Sequence, residues 1–196
     1  MLKAVKIIFL ILAVIIPTGV AGAQVGEKNI SLGYEFTKGI DGDLTYGFNL
    51  GVGYEFEKDN ELRVELMYQK YEGTTWDASK EFWPALGRSV ADAQASLLAL
   101  IVGIRGYIFA EDLGLQSVRP YFFLGGGYYR STWDDIHPTD GEASSWGVAP
   151  GLGVEAMITR HLGLSLDLKQ HVILTTSTTN KGGSFTSGVL NAVYRW

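Results

Sequence analysis

The 196-residue chain is 46% hydrophobic and 19% charged, with 25 Gly, 10 Tyr, 5 Trp and no Cys. Without cysteine there is no disulfide framework, thiolate nucleophile, thiolate metal ligand or lipoprotein attachment point. The formal charge of −5 argues against nucleic acid as a partner. Downstream of the first segment no apolar run reaches the roughly 18 residues a membrane helix needs.

Met1 to Ala23 has the layout of a secretory signal: Lys3 and Lys6, an apolar run from Ile7 to Ile16 stopped by Pro17, and Ala21-Gly22-Ala23 as a small-x-small cleavage site. The run is too short to span a bilayer of about 30 Å. A cleaved signal peptide over 1–23 is expected, with 24–196 as one mature domain. Losing Lys3 and Lys6 would take the charge from −5 to −7.

From there apolar residues recur at every second position, the period of a strand. Ile30, Leu32, Tyr34 and Phe36 form the first run, and Tyr46 to Phe56 the second. Leu62 to Tyr68 is the third, and Ser96 to Phe109, which is greasier, the fourth. The fifth, near Arg119 to Ser131, contains the continuous stretch Tyr121-Phe122-Phe123-Leu124, and Phe122, Leu124 and Tyr128 are taken to face outward. Trp146 to Ala156, Leu162 to Lys169 and Leu190 to Trp196 complete the series. Such runs of about ten residues match strands crossing a bilayer at a tilt. The links near Glu57–Asn60, Ala110–Val118 and Thr159–His161 alternate with mostly longer, polar ones near Thr37–Asp43, Glu72–Ala95, Thr132–Ala143 and Val172–Ser184. This pattern predicts an all-β, eight-stranded, antiparallel up-and-down transmembrane β-barrel with both termini on the short-turn side.

Alternation alone leaves open which face meets lipid, because a soluble barrel would turn its apolar face inward around a ligand. Here the less apolar face carries Gly33, Gly47, Gly51, Gly53, Gly103, Gly147, Gly151, Gly153 and Gly163, which suits a narrow, filled lumen better than a hydrated surface. The apolar face carries aromatic residues near strand ends. Tyr34, Phe36, Tyr46, Tyr68, Tyr128 and Trp146 fall toward one rim, and Tyr54, Phe56, Tyr194 and Trp196 toward the other. Two such girdles are expected at the headgroup levels of a membrane.

The signal-like segment, the eight alternating strands and the ending Val193-Tyr194-Arg195-Trp196 resemble the small eight-stranded outer-membrane barrels, the OmpA/OmpX/OmpW and opacity-porin group. Arg119-Pro120-Tyr121 through Tyr128, with Gly125-Gly126-Gly127 inside it, is similar to a strand-start pattern of that group. The resemblance implies the bacterial outer membrane as location; lipid and lipopolysaccharide are expected as surroundings, and the barrel is expected to be a monomer. It also implies Tyr194 and Trp196 as the signal read by the barrel-assembly machinery. It names no activity, and no peptidoglycan-binding domain is expected after Trp196.

The inward positions carry Glu55, Arg63, Glu65, Arg105, Glu155 and Arg195, expected in the terminus-side half, with Asp167 and Lys169 higher and Glu35 near the outer rim. Charges in a narrow lumen are costly unless paired, so an ion-pair network that fills and stiffens the barrel is expected. Its role would be structural or surface-interacting, with a narrow porin-like channel for small polar solutes as the alternative. A lipid A-modifying enzyme is the second alternative. Ser165, Asp167 and His171 share one strand face, but residues two apart are separated by about 7 Å, so Ser165 lies out of direct proton-transfer reach of His171. The His-x-Ser pairing of the deacylase family is missing, so no catalytic residues are assigned. His137, His161 and His171 lack metal-ligand spacing, and neither metal nor cofactor is expected. Trp76, Phe82 and Trp83, near Lys80 and Arg88, mark the second long link as a candidate contact loop.

Overall fold

The computed structural model describes residues 26–38, 44–57, 59–72, 94–108, 118–134, 141–174 and 183–196. The signal segment 1–23 and the loop residues Trp76, Lys80, Phe82, Trp83, Arg88 and His137 lie outside these.

Eight strands follow one another: β1 (Lys28–Lys38), β2 (Leu44–Glu57), β3 (Asn60–Glu72), β4 (Gln94–Tyr107), β5 (Val118–Asp134), β6 (Gly141–Met157), β7 (Leu162–Ile173) and β8 (Gly183–Arg195). Each pairs antiparallel with the next, and β8 pairs with β1, closing the barrel. Closure removes every free edge, as a strand crossing hydrocarbon requires. The two ends of the chain are tied together where Lys28 and Trp196 exchange backbone hydrogen bonds of 3.0 Å. The short β2–β3 and β6–β7 turns lie at this terminus end. Asp59 adopts a φ of 66° in the first of them, a left-handed conformation that Asp tolerates better than most residues.

Alternation along each strand sets the two faces. Leu162, Leu164, Leu166 and Leu168 project outward on β7, while Gly163, Ser165, Asp167 and Lys169 are buried within. On β5 the continuous apolar stretch resolves into Tyr121, Phe123 and Tyr129 inside and Phe122, Leu124 and Tyr128 outside. Small lumen residues let the wall be filled from across the barrel. A Cβ on Gly103 would fall 2.5 Å from the Leu124 carbonyl oxygen and 2.6 Å from the Gly125 Cα, so this seam admits no side chain.

Four strands run past the limits of the alternating runs. β8 starts at Gly183, two residues inside the link expected to end at Ser184 and well ahead of the apolar run from Leu190, because Ser184, Thr186 and Gly188 leave its first outward positions without apolar residues. Pairing holds that stretch instead, and the Thr186 hydroxyl donates to Gln170 Oε1 at 2.6 Å across β7–β8. β5 and β6 reach Asp134 and Gly141, which shortens the link expected over Thr132–Ala143. β7 continues to Ile173, with His171 inward near its outer end as expected.

Candidate functional site

The lumen divides into two zones. Toward the loop end, Met67, Leu97, Ala99, Ile101, Phe123, Tyr129, Ala149, Ile173 and Phe185 form one buried apolar cluster. Toward the terminus end the inward side chains are mostly charged, and they meet because shear staggers the strands around a narrow barrel.

Arg63 of β3 sits between two acids of its own strand. Its Nε donates to Glu65 Oε1 at 2.7 Å and its Nη1 to Glu61 Oε1 at 3.2 Å. The same guanidinium also donates to Asn29 Oδ1 and Ser31 Oγ of β1. Across the lumen Lys169 Nζ reaches Glu65 Oε2 at 2.5 Å and Asp167 Oδ2 at 3.5 Å. Asp167 in turn accepts hydrogen bonds from the Tyr121 hydroxyl and from Asn191 Nδ2. Arg105 lies among three carboxylates, Glu155 at 3.5 Å, Asp167 at 3.7 Å and Glu61 at 3.9 Å, with its guanidinium 4.0 Å above the Tyr121 ring. None of its nitrogens makes a geometrically good hydrogen bond among the described residues, so it is held by charge and ring contact. Arg195 closes the terminus end. It contacts Glu155 Oε1 at 2.7 Å, Glu27 at 3.4 Å, Glu55 at 3.5 Å and Glu61 at 3.8 Å, and it donates to the Tyr107 hydroxyl. Glu55 is half-buried at this mouth, where Arg119 also approaches it at 3.8 Å.

Eight of the nine inward charges singled out in the sequence, all but Glu35, thus fall into one contiguous set. Asp167 and Lys169 join it directly through Arg105 and Glu65 rather than forming a separate upper group. Glu155 faces Arg105 and Arg195, whereas Arg63 is occupied by Glu61 and Glu65. Alternation beginning at Leu62 missed Glu61, which is fully buried and touches Arg63, Arg105 and Arg195. Its inward position follows from extending the strand back by one pair, a signal the sequence did contain. Tyr107 and Tyr121 are the other unforeseen members. Tyr107 donates to Glu61 at 3.0 Å, and its ring packs edge-on to Tyr121.

Above this set, His171 accepts or donates at both ring nitrogens, to the Tyr129 hydroxyl through Nδ1 and to Ser187 Oγ through Nε2, each at 2.9 Å. Its serine partner is therefore Ser187 of β8, while Ser165 is bonded to Asn191. Ser187 and His171 are both buried, and the Ser187 hydroxyl is closed off from solvent. Among the described residues no group of three or more His, Asp or Glu side chains is arranged to hold a metal ion.

Of the outward aromatic residues, Tyr34, Phe36, Tyr46, Phe56, Tyr128, Trp146, Tyr194 and Trp196 are exposed, and Tyr54 and Tyr68 are half-buried. Neighbouring rings touch across seams: Tyr34 with Tyr46 at 5.7 Å, Phe48 with Tyr68 at 5.3 Å, and Tyr128 with Trp146 at 5.4 Å. Tyr194 stacks on Trp196 at 5.8 Å beside the terminal pairing. The outer wall between these rings is apolar all round, which suits hydrocarbon and no aqueous surface.

Residues 7–195 match the family described as outer membrane protein beta-barrel domain. The chain belongs to this family. No curated protein matches the sequence. Solved structures of similar fold include Ail, the attachment invasion locus protein of Yersinia pestis, at 20% identity and TM-score 0.53, covering 88% of this chain and 100% of that one. Neisserial surface protein A matches at 17% identity and TM-score 0.57, covering 86% and 94%. OprG from Pseudomonas aeruginosa matches at 15% and 0.56, covering 91% and 99%. At these identities the likeness shows the fold. With the family match, it places the protein in the bacterial outer membrane.

Proposed function

We propose that this outer-membrane barrel is a closed, monomeric scaffold with a structural or surface-interaction role. Its lumen is sealed by the ion-pair network of Glu55, Arg63, Glu65, Arg105, Glu155, Asp167, Lys169 and Arg195, with Glu61 as an added member. The observation that carries this reading is the close packing of the charged side chains across the terminus-side lumen, where Glu61, Arg63, Glu65, Arg105 and Glu155 are each 0% exposed. A conducting path needs hydrated charges along its length, and these are dry and mutually compensated.

On this reading the aromatic residues Tyr34, Phe36, Tyr46, Tyr54, Phe56, Tyr68, Tyr128, Trp146, Tyr194 and Trp196 anchor the barrel at the two headgroup levels. Tyr194 and Trp196 serve in assembly, and residues 1–23 are removed before Gln24. Trp76, Phe82 and Trp83 supply a surface for lipopolysaccharide or an external partner, a use that the name of the Yersinia relative supports. The decisive experiment is single-barrel conductance in a planar bilayer, for the wild type and Glu155→Ala. The scaffold reading expects no resolvable current in either and a lowered melting temperature for the variant, because Arg195 loses its 2.7 Å partner. Discrete current steps that rise in Glu155→Ala at unchanged stability would assign a narrow channel instead.

A further inference from the structure

One group of buried oxygens stands apart from the ion pairs. In the registers of β1 with β2 and β8, Gly33 lies opposite Asn49 on one side and Asn191 on the other. Glu35 is the next inward residue on β1. It faces Gly47 across β2, so no side chain separates it from Asn49, its diagonal neighbour. The orientation of Asn191 is fixed by chemistry. Its Nδ2 donates to Ser165 Oγ at 3.1 Å and to Asp167 Oδ2 at 3.2 Å, and a carboxylate can only accept, so Oδ1 must turn the other way. It turns over Gly33, where any side chain would collide with it.

The result is four buried acceptors that make no hydrogen bond of good geometry among the described residues: Glu35 Oε1 and Oε2, Asn49 Oδ1 and Asn191 Oδ1. The other buried polar atoms without a hydrogen bond belong to Glu55 and Arg105, which are ion-paired. Charge points the same way. The side chains exposed by 3% or less comprise the acids Glu35, Glu61, Glu65, Glu155 and Asp167 against the bases Arg63, Arg105, Lys169 and Arg195. Among the described residues Glu35 is the one of these without an ion-pair partner. Lys169, Glu65, Ser187 and Gln69 surround it, but Lys169 is held by Glu65 and Asp167. Ser187 and Gln69 stand within hydrogen-bonding reach of Glu35 while also bonding His171 and Thr37, but both are neutral and leave its charge uncompensated. A dry carboxylate without compensation is not a stable arrangement.

We propose that Glu35, Asn49 and Asn191 form a binding site for a monovalent alkali cation against the lumen wall at Gly33. Hard oxygen donors with a single formal charge suit sodium or potassium. A divalent ion would demand more carboxylate charge than the single Glu35 supplies. The two rival sources of positive charge are a proton on Glu35 and an imidazolium at His171, which reaches Glu35 through Ser187.

The test is thermal unfolding of the refolded full barrel in detergent, in sodium, potassium or choline chloride at equal ionic strength, for the wild type and Glu35→Gln. At about a hundredfold excess over the dissociation constant, the bound ion should raise the wild-type melting temperature by about 5 °C or more over choline. Glu35→Gln should abolish that difference. Equal melting temperatures in the three salts would overturn the site, as would a cation effect that survives Glu35→Gln. So would a wild type that responds to pH but not to cation, which would assign the charge to Glu35 or His171 protonation. Because Glu35→Gln could fail to fold, crystals of the wild type soaked in thallium(I) provide a second measurement. Anomalous density between residues 35, 49 and 191 supports the site, and its absence at saturating thallium overturns it.

Discussion

The Glu65–Lys169 contact is the sharpest probe of how dry the lumen is. The two side chains are 0% and 2% exposed and lie 2.5 Å apart on strands from opposite parts of the sequence. Lys169→Met leaves Glu65 with Arg63 alone, and Glu65→Met leaves Lys169 with Asp167 at 3.5 Å. Removing one partner of a buried pair costs about 3–5 kcal/mol, because the other charge stays desolvated. For a chain of this size each kcal/mol moves the melting temperature by about 2–4 °C, so either single variant should melt about 6–20 °C lower. The double variant Glu65→Met with Lys169→Met removes both charges and leaves Arg63 with Glu61 and Asp167 with Tyr121 and Asn191. It should therefore lose less than the sum of the singles, with a coupling of about 2 kcal/mol. Far-ultraviolet circular dichroism of the refolded barrel in detergent, read beside heat-dependent gel mobility, measures all four proteins. Single variants that melt within about 2 °C of wild type, or strict additivity, would mean that water screens these charges and that the lumen is not sealed.

Other outcomes follow from the wall and the termini. Leu166→Arg, outward in mid-strand and half exposed to lipid, should destabilise the barrel in vesicles by about 2–4 kcal/mol, whereas Leu162→Arg at the strand end should cost about 1 kcal/mol or less. Denaturant titration in lipid checks the difference, and equal costs would place the bilayer midplane elsewhere. Gly103→Val should destabilise by about 1–3 kcal/mol, since its Cβ meets backbone atoms of β5 that cannot rotate away, and its melting temperature tests this. Trp196→Ala should lower the amount of barrel in isolated outer membranes far more than it lowers the melting temperature of purified, refolded protein. A parallel fall in both would make Trp196 a packing residue with no separate part in assembly.

The limits of the sequence fall in particular places. The outward faces of β2, β6 and β7 were legible because hydrocarbon tolerates no polar residue there, so Leu162 to Leu168 and Trp146 to Val154 alternate without a break. The outward face of the first half of β8 was not, because Ser184, Thr186 and Gly188 hold their place through cross-strand pairing and not through their own apolarity. The glycines and charges of the lumen face could likewise be assigned to the inside by period alone. Their partners could not. Arg63 meets Glu61 and Glu65 on its own strand, but Lys169 finds Glu65 from 104 residues away, and Ser187 reaches His171 from β8.

The local pattern by itself determined strand number, facing and membrane class, because a period of two and the solvent on each face act on every residue separately. Which charge neutralises which, and which oxygens are left without a well-placed donor around Gly33, depends on the stagger of eight strands closed into a ring. That stagger is a property of registers between segments distant in sequence, so only the tertiary structure could decide it.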